Sequence, residues 1–432
     1  MARLLNASSG VACLFYEGNV LYRLWRTLCR HDVLTEPHED LVADIKITAE
    51  HNLIDRAEKS GSPKIVFSPS AVSRLIRNFE NDLSNAEDPL ALYGSTAACF
   101  FHLLGCTADV EVVGDKVPDY INIPDILNAA LPSCKMIYIQ RDPMATIHSV
   151  LRFIDNKLHL FAVPNAFAMA FSFLLKYKGM NDFVGHLPKN RLFPLTQAEL
   201  LNNPKQIAIK ASEFLGSPVC AEMISCADSM AKRRCCKNWR VEMAKDNIAA
   251  VEAVCIQSGI NLPAGPVIDT KKNCWFEKAD KTKLLIHCAS DRIRSVMDDV
   301  RAAFRGAREE ETLGLTLIQF ADYAHTRAQF KRAYLFFEEA SRLIPYSPVL
   351  WFKFAELCFD MKLLSEARKH YERAEALFQK TNCFALLRAK TFYGLGRIER
   401  LSGNCNDARS FFERSLTVFP NFKLSQAMLQ FL

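Results

Sequence analysis

The sequence predicts an α/β domain with a mostly parallel sheet, followed by an all-α domain of repeated helical hairpins. Three observations carry this. Short apolar segments such as Met136-Ile137-Tyr138-Ile139 alternate with amphipathic stretches in the first part of the chain. The last third repeats a pattern of small and aromatic residues. Between them, Leu262 to Lys281 carries prolines, a glycine and charges, and reads as a boundary. The expected division is 1–262 for the α/β domain, 263–310 for a linker and connecting helix, and 311–432 for about three repeats.

Composition narrows the class. With 432 residues, 50% hydrophobic and 24% charged, the chain is globular and long enough for two or three domains. The net charge of +6 is spread along the chain, which argues against a nucleic-acid binder. Fifteen cysteines are scattered without a disulfide rhythm, and the chain opens on no secretory signal. Reduced thiols in the cytoplasm are therefore expected. Cys220, Cys226, Cys235 and Cys236 lack a C-x-x-C pair and nearby histidines, so no metal is expected. The apolar stretch Leu158 to Leu175 contains His159, Pro164 and Asn165, and reads as a core helix with no membrane span.

In chain order, KIVFS (64–68) is apolar but of uncertain type. EVVGDK (111–116) ends a short strand, MIYIQ (136–140) reads as a fully buried strand, and RLFPLT (191–196) as a later one. One helix runs through Phe167, Phe171 and Leu174. Another starts at Asn203-Pro204 and ends at Gly216. After MIYIQ, Asp142 has an N-cap side chain and Pro143 suits the first helical position. A strand that ends in such a turn aims a helix N-terminus, and its free N–H groups, at an anion. Arg141 sits at this mouth, with the small Ala145 and the hydroxyl of Ser149 following at i+4 and i+8. The pattern alone leaves two readings open: an anion seat, or a simple Arg141–Asp142 pair. His148 adjoins Ser149 on a different face and reads as a core or surface histidine.

Farther on, Ala333-x3-Phe337-x2-Ala340 recurs as Ala367-x3-Tyr371-x2-Ala374 and as Ala408-x3-Phe412-x2-Ser415. The first two copies lie 34 residues apart, the tetratricopeptide period. Twelve residues before each copy stands a small residue: Ala321, Ala355 and Gly396. Small residues of this kind permit close helix crossings, and the aromatics fill the gaps between pairs. The third copy starts late, so the segment around Thr381 to Leu387 is an insertion that lengthens a helix or loop. Before the repeats, Ile293, Val296, Met297, Val300 and Phe304 follow helical spacing.

Four features in order resemble the sulfotransferase family that uses 3′-phosphoadenosine 5′-phosphosulfate. Arg141-Asp142-Pro143 with Ser149 eight residues after the arginine matches the family's Arg-Asp-Pro and serine. GDKVPDY (114–120) looks like its Gly-Glu-Lys-Thr-Pro motif. The segment starting at Leu192 is similar to its later strand and helix, with the Tyr-Glu-Asp eroded. KNWR (237–240) is similar to its closing basic segment. The resemblance covers roughly residues 1–257, is nearest to bacterial and protein-tyrosine members, and implies a P-loop-type parallel sheet. It implies that Arg141 and Ser149 hold the nucleotide 3′-phosphate, with Lys237, Trp239 and Arg240 also binding the nucleotide. Lys116 would neutralise the leaving phosphate, and Glu17 would serve as general base toward a hydroxyl acceptor. A surface lysine and a solvated loop glutamate are the plainer readings of those last two residues. The donor is the only cofactor implied, and the repeats imply a protein or peptide partner.

The family's Pro-Arg-Ser-Gly-Thr loop, which cradles the 5′-phosphosulfate, has no counterpart here, nor is there a G-x-x-x-x-G-K-[ST] or G-x-G-x-x-G pattern. Ala2 to Val11 look like the helix after that loop and its exit. The expectation is a sheet lacking its central first strand, with two strand edges exposed and weak donor binding. The rival expectation is an inactive scaffold that acts through its repeats. A P-loop nucleotide kinase would need the absent Walker lysine.

Overall fold

The computed structural model describes residues 2–8, 10–14, 20–30, 38–50, 53, 67–86, 88–155, 165–232, 245–257, 309–380 and 384–432. Four strands lie among the described residues: β1 (Val11–Leu14), β2 (Val112–Asp115), β3 (Met136–Gln140) and β4 (Leu192–Thr196). The helices begin with α1 (Ala2–Leu5), α2 (Val20–Arg30), α3 (His38–Glu50), α4 (Pro69–Leu83), α5 (Pro89–Ala108) and α6 (Pro124–Ala130). They continue with α7 (Pro143–Asp155), α8 (Ala166–Val184), α9 (Gln197–Asn202), α10 (Pro204–Leu215), α11 (Ala221–Lys232) and α12 (Lys245–Gln257). The C-terminal set is α13 (Glu309–Thr326), α14 (Phe330–Leu343), α15 (Pro348–Asp360), α16 (Leu364–Phe378), α17 (Ala385–Leu401), α18 (Cys405–Val418) and α19 (Lys423–Phe431). The expected connecting helix around Ile293 and the boundary at Leu262 to Lys281 lie outside the described residues, as does most of KIVFS.

Contacts divide the chain into two compact units, Met1–Arg141 with Gly179–Lys237, and Asp142–Lys178 with Asn238–Leu432. In the first unit β1 pairs parallel with β2, and β3 pairs parallel with β4. Among the described residues no strand bridges the two pairs. Val11, Val112, Ile137, Ile139, Phe193 and Leu195 nevertheless join one apolar cluster, closed by Leu4 and Leu5 of α1 and by Ile207 and Ala211 of α10. The two pairs thus share one buried layer, as parallel strands covered by helices must. A second cluster unites α2 to α5 around the fully buried Phe79, Tyr93 and Phe100. Of the described helices, α5 is long and apolar enough to cross a membrane, and its Leu92, Ala97 and Leu104 are buried in this cluster.

One expectation needs correction. In β3 only Tyr138 is buried; its neighbours are half-buried, and so is all of β2. An apolar strand is fully covered only when both its edges and both its faces are, and among the described residues each strand has a single pairing partner. β1 was not anticipated, because four residues are too few to show a period. Other local signals act as their chemistry dictates. Thr196 and Glu199 form a capping box at the start of α9. Gly216 ends α10 with φ +77, a conformation that costs glycine nothing.

In the second unit α13 pairs with α14, α15 with α16, and α17 with α18. The repeated alanines Ala333, Ala340, Ala367, Ala374 and Ala408 are fully buried, as are Phe337, Tyr371 and Phe412. A Cβ added at Gly396 would lie 2.6 Å from the Phe412 ring, which explains the small residue there. Of the expected insertion, 381–383 lie outside the described residues; α17 has 17 residues, against 13 in α15 and 18 in α13. Polar side-chain pairs tie each hairpin to the next. His325 Nε2 and Asp360 Oδ2 are 2.6 Å apart between α13 and α15, and Arg388 reaches Glu375 at 2.7 Å between α17 and α16. The same core continues into α7, α8 and α12, where Phe171 meets Phe320 at 6.0 Å between ring centroids and the Asn165 amide donates to Thr312 Oγ1 at 3.4 Å.

Candidate functional site

In a parallel α/β layer, ligands meet the chain beyond the C-terminal ends of the strands. β2 ends at Asp115, and the exposed Lys116 follows at once. The Lys116 backbone N–H donates to Leu14 O at 3.0 Å, which fixes its main chain beside the end of β1. Pro118 then starts a short 3-10 turn (Pro118–Asn122), and the Tyr120 hydroxyl donates to Asp115 Oδ2 at 2.5 Å. Burial pushes the Asp115 carboxyl up to about 6, while the Tyr120 bond and the Lys116 N–H and ammonium pull the other way. Burial, followed by the Asp115 charge, also pushes the Cys13 thiol up to about 12 and the Tyr93 hydroxyl above its ordinary value.

β3 ends at Gln140, and Arg141 follows it, exposed and without an ion pair among the described residues. Asp142 acts as the expected cap: the Ala145 N–H donates to its Oδ1 at 2.6 Å, and the Thr146 hydroxyl donates to its carbonyl oxygen at 2.9 Å. The cap accounts for that carboxylate oxygen, which weakens the plain Arg141–Asp142 reading. On α7, Met144, Ile147 and Leu151 join the core of the second unit and His148 is buried, whereas Ala145 is half-buried and Ser149 exposed. His148 is thus a buried histidine, one of the two plain readings of it.

Two predicted residues, Lys116 and Arg141, therefore stand directly beyond strand ends of the first unit. Ser149 lies on the solvent side of α7, in the second. Glu17, Lys237, Trp239 and Arg240 lie outside the described residues, as do Cys235 and Cys236. Among the described residues no three His, Cys, Asp or Glu side chains are grouped to hold a metal ion.

A cavity of about 770 Å³ lies elsewhere. Gly10, His102, Cys106, Val112 and Ser217 line it, at the N-terminal ends of β1 and β2. His102 Nε2 and Cys106 Sγ are 3.6 Å apart there. Among the described residues, no candidate catalytic or binding residue named from the sequence lines this cavity. The strand-end cations carry more weight as a site, because their charge and their place at strand C-termini agree. Sequence reasoning passed over Asp115 and Tyr120. Their signal was an acid beside Lys116 and a tyrosine five residues later, in the quoted GDKVPDY.

A sulfotransferase family model matches residues 15–221, and a tetratricopeptide repeat model matches residues 346–421. No curated protein matches the chain. Among solved structures, the N-terminal domain of stress-induced protein-1 (STI-1) from C. elegans is 19% identical over 28% of this chain and 97% of that one, with a TM-score of 0.27. Sulfotransferase STF9 from Mycobacterium avium is 11% identical over 59% of this chain and 71% of that one, with a TM-score of 0.34. The sulfotransferase domain from the curacin biosynthetic pathway is 18% identical over 49% and 75%, with a TM-score of 0.29. The N-terminal part of the chain is thus a sulfotransferase-family region, and tetratricopeptide repeats follow it.

Proposed function

We propose that the chain transfers a sulfuryl group from 3′-phosphoadenosine 5′-phosphosulfate to a hydroxyl acceptor, and that its repeats bind a protein or peptide partner. One observation carries the reading: Lys116 and Arg141, two exposed cations, each stand immediately beyond the C-terminal end of a parallel strand in one buried layer. The donor is a polyanion, and such a pair of cations suits it chemically. Bound, the donor supplies an activated sulfuryl group with a phosphate leaving group.

Lys116 offsets charge as it grows on the leaving oxygen, and its backbone is held for that task by the bond to Leu14 O. Arg141 and Ser149 keep the family's eight-residue spacing, and in this reading they bind the 3′-phosphate. Glu17 takes the acceptor proton, and Lys237, Trp239 and Arg240 complete nucleotide binding. Both roles come from sequence resemblance alone. In-line transfer between two oxygens needs little more than positioning and charge, by analogy with phosphoryl transfer. A cytoplasmic location belongs to the same reading, on the sequence ground that the fifteen cysteines are scattered without a disulfide rhythm.

The test is radiolabelled sulfuryl transfer from the donor to a panel of sugar, lipid, phenol and tyrosine-peptide hydroxyls. Lys116→Ala should lower kcat by about 10²-fold. Arg141→Ala should instead raise the KM for the donor. Absence of donor binding and of turnover would leave the repeats as the seat of function, with the N-terminal region a scaffold.

A further inference from the structure

The cavity at the N-terminal ends of β1 and β2 holds chemistry that the strand-end cations do not use. His102 and Cys106 lie four residues apart on α5 and so share one face of that helix. Cys106 Sγ and His102 Nε2 are 3.6 Å apart, within hydrogen-bond reach for sulfur, and both residues line the cavity. With its ring proton on Nδ1, His102 offers Nε2 as an acceptor for the thiol proton. Other described thiols are engaged differently: those of Cys13 and Cys220 donate to the carbonyl oxygens of Leu14 and Ala7. Cys106 is exposed, whereas Cys13 is buried.

The walls set the charge of what can enter. Asp109 and Glu111 line the cavity, and among the described residues that line it none is a lysine or an arginine. The imidazole reaches Cys106 in the last turn of α5, which ends at Ala108, where the helix dipole is negative. A proton moved onto His102 makes an imidazolium, and these surroundings favour it. A space of about 770 Å³ is that of a small-molecule site.

We propose that Cys106 is a thiol-exchange site for a small cationic disulfide, such as that of an aminothiol, with His102 as its general base and the cavity as the seat of the adduct. The Cys106 proton passes to His102 Nε2 as the sulfur attacks one sulfur of the disulfide. A new S–S bond forms and the old one breaks. The departing sulfur takes the bonding pair, then the proton of the imidazolium, and leaves as a thiol. Cys106 is oxidised, half of the incoming disulfide is reduced, and no other oxidant enters. The site stands at the opposite ends of β1 and β2 from Lys116, and does not rest on the proposed sulfuryl transfer.

The test treats the full chain, at low salt, with dicationic cystamine, neutral 2-hydroxyethyl disulfide or anionic glutathione disulfide. Mixed disulfides are counted peptide by peptide by mass spectrometry. Cys405, exposed at the start of α18, is the internal reference. The Cys106-to-Cys405 rate ratio should be roughly tenfold higher with cystamine than with glutathione disulfide, with the neutral reagent between them. Asp109→Asn combined with Glu111→Gln should erase that order. Asparagine tolerates the left-handed backbone of position 109 (φ 52), so the helix end is kept. His102→Gln should slow Cys106 roughly tenfold toward the neutral reagent, since a thiol without a base is only a few per cent ionised near pH 7. Cys405 should be unaffected by it. In urea the charge order and the effect of His102→Gln should both collapse. Equal ratios for the three reagents in the folded protein, or a His102→Gln variant as fast as the unaltered chain, overturns the proposal. So does either effect persisting at full size in urea, which would trace it to local sequence and not to the cavity.

Discussion

The repeat unit and the strand unit meet the same demand, burial of apolar surface, in opposite ways. The repeats reuse one solution three times, with buried small residues and one buried aromatic ring in each copy, and polar side-chain pairs from each hairpin to the next. Among its described residues the strand unit has four short strands in two pairs, with β2 and most of β3 only half-buried and a bare carboxylate oxygen at the end of β2. Redundancy spreads the stability of the repeats over many equivalent contacts. The strand unit instead leaves one buried carboxylate oxygen without a partner among the described residues, beside Lys116 where the candidate chemistry stands.

The contrast is broken most forcefully at Phe337. It is fully buried and stacks on Phe354 at 5.5 Å between ring centroids. Phe337→Ala should cost about 3–5 kcal/mol, read as a fall in the urea midpoint of the repeat unit by near-ultraviolet dichroism. If the strand unit's midpoint falls equally, the two do not unfold as separate units.

The next effect tests the strand unit. Because the folded Asp115 carboxyl stands at about 6 against an ordinary 3.8, the native state binds the proton more tightly than the unfolded chain. Stability should be unaffected by this group below about pH 4, fall as pH rises from about 4 to 6, and stay reduced above that. The full cost is at most roughly 3 kcal/mol. Asp115→Asn should remove that slope in pH-dependent thermal melts; a slope unchanged by the substitution would assign it to other groups.

Gly396→Val comes third. Its branched side chain meets the Phe412 ring, and overpacking of that kind should cost about 1–3 kcal/mol. A neutral outcome in calorimetry would show that α17 and α18 slide apart freely. Smallest is Asp142→Ala, which removes the cap of α7 and should cost about 1 kcal/mol, with faster amide exchange at Ala145 as its signature.

Legibility in the sequence followed the same divide. The repeats declare themselves because the spacing of Ala333, Phe337 and Ala340 encodes both the helix face and the partner that covers it. The N-cap of α7 and the glycine stop of α10 were equally plain, since each is a matter of a few adjacent residues. Burial of β3 was overestimated, because no property of Met136-Ile137-Tyr138-Ile139 states how many neighbours a strand will have. Lys116 and Arg141 were found through motif order. Asp115 was passed over because its significance lies in a missing partner, which only three-dimensional packing displays.

The division of the chain has a consequence for synthesis. Residues 142–178 pack with a unit whose other part runs from 238 to the last residue, so the chain passes between the units and back before that unit is complete. On a ribosome, Met144, Ile147 and Phe167 emerge long before Phe320 and Phe336, with which they share a core. At roughly 5–20 residues per second, these apolar helices wait on the order of ten seconds or more for their partners. The nascent chain is thus a client for holding chaperones during that interval. Depleting them, or slowing translation between codons 179 and 309, should raise the insoluble fraction more than it would for a chain whose units follow one another in sequence.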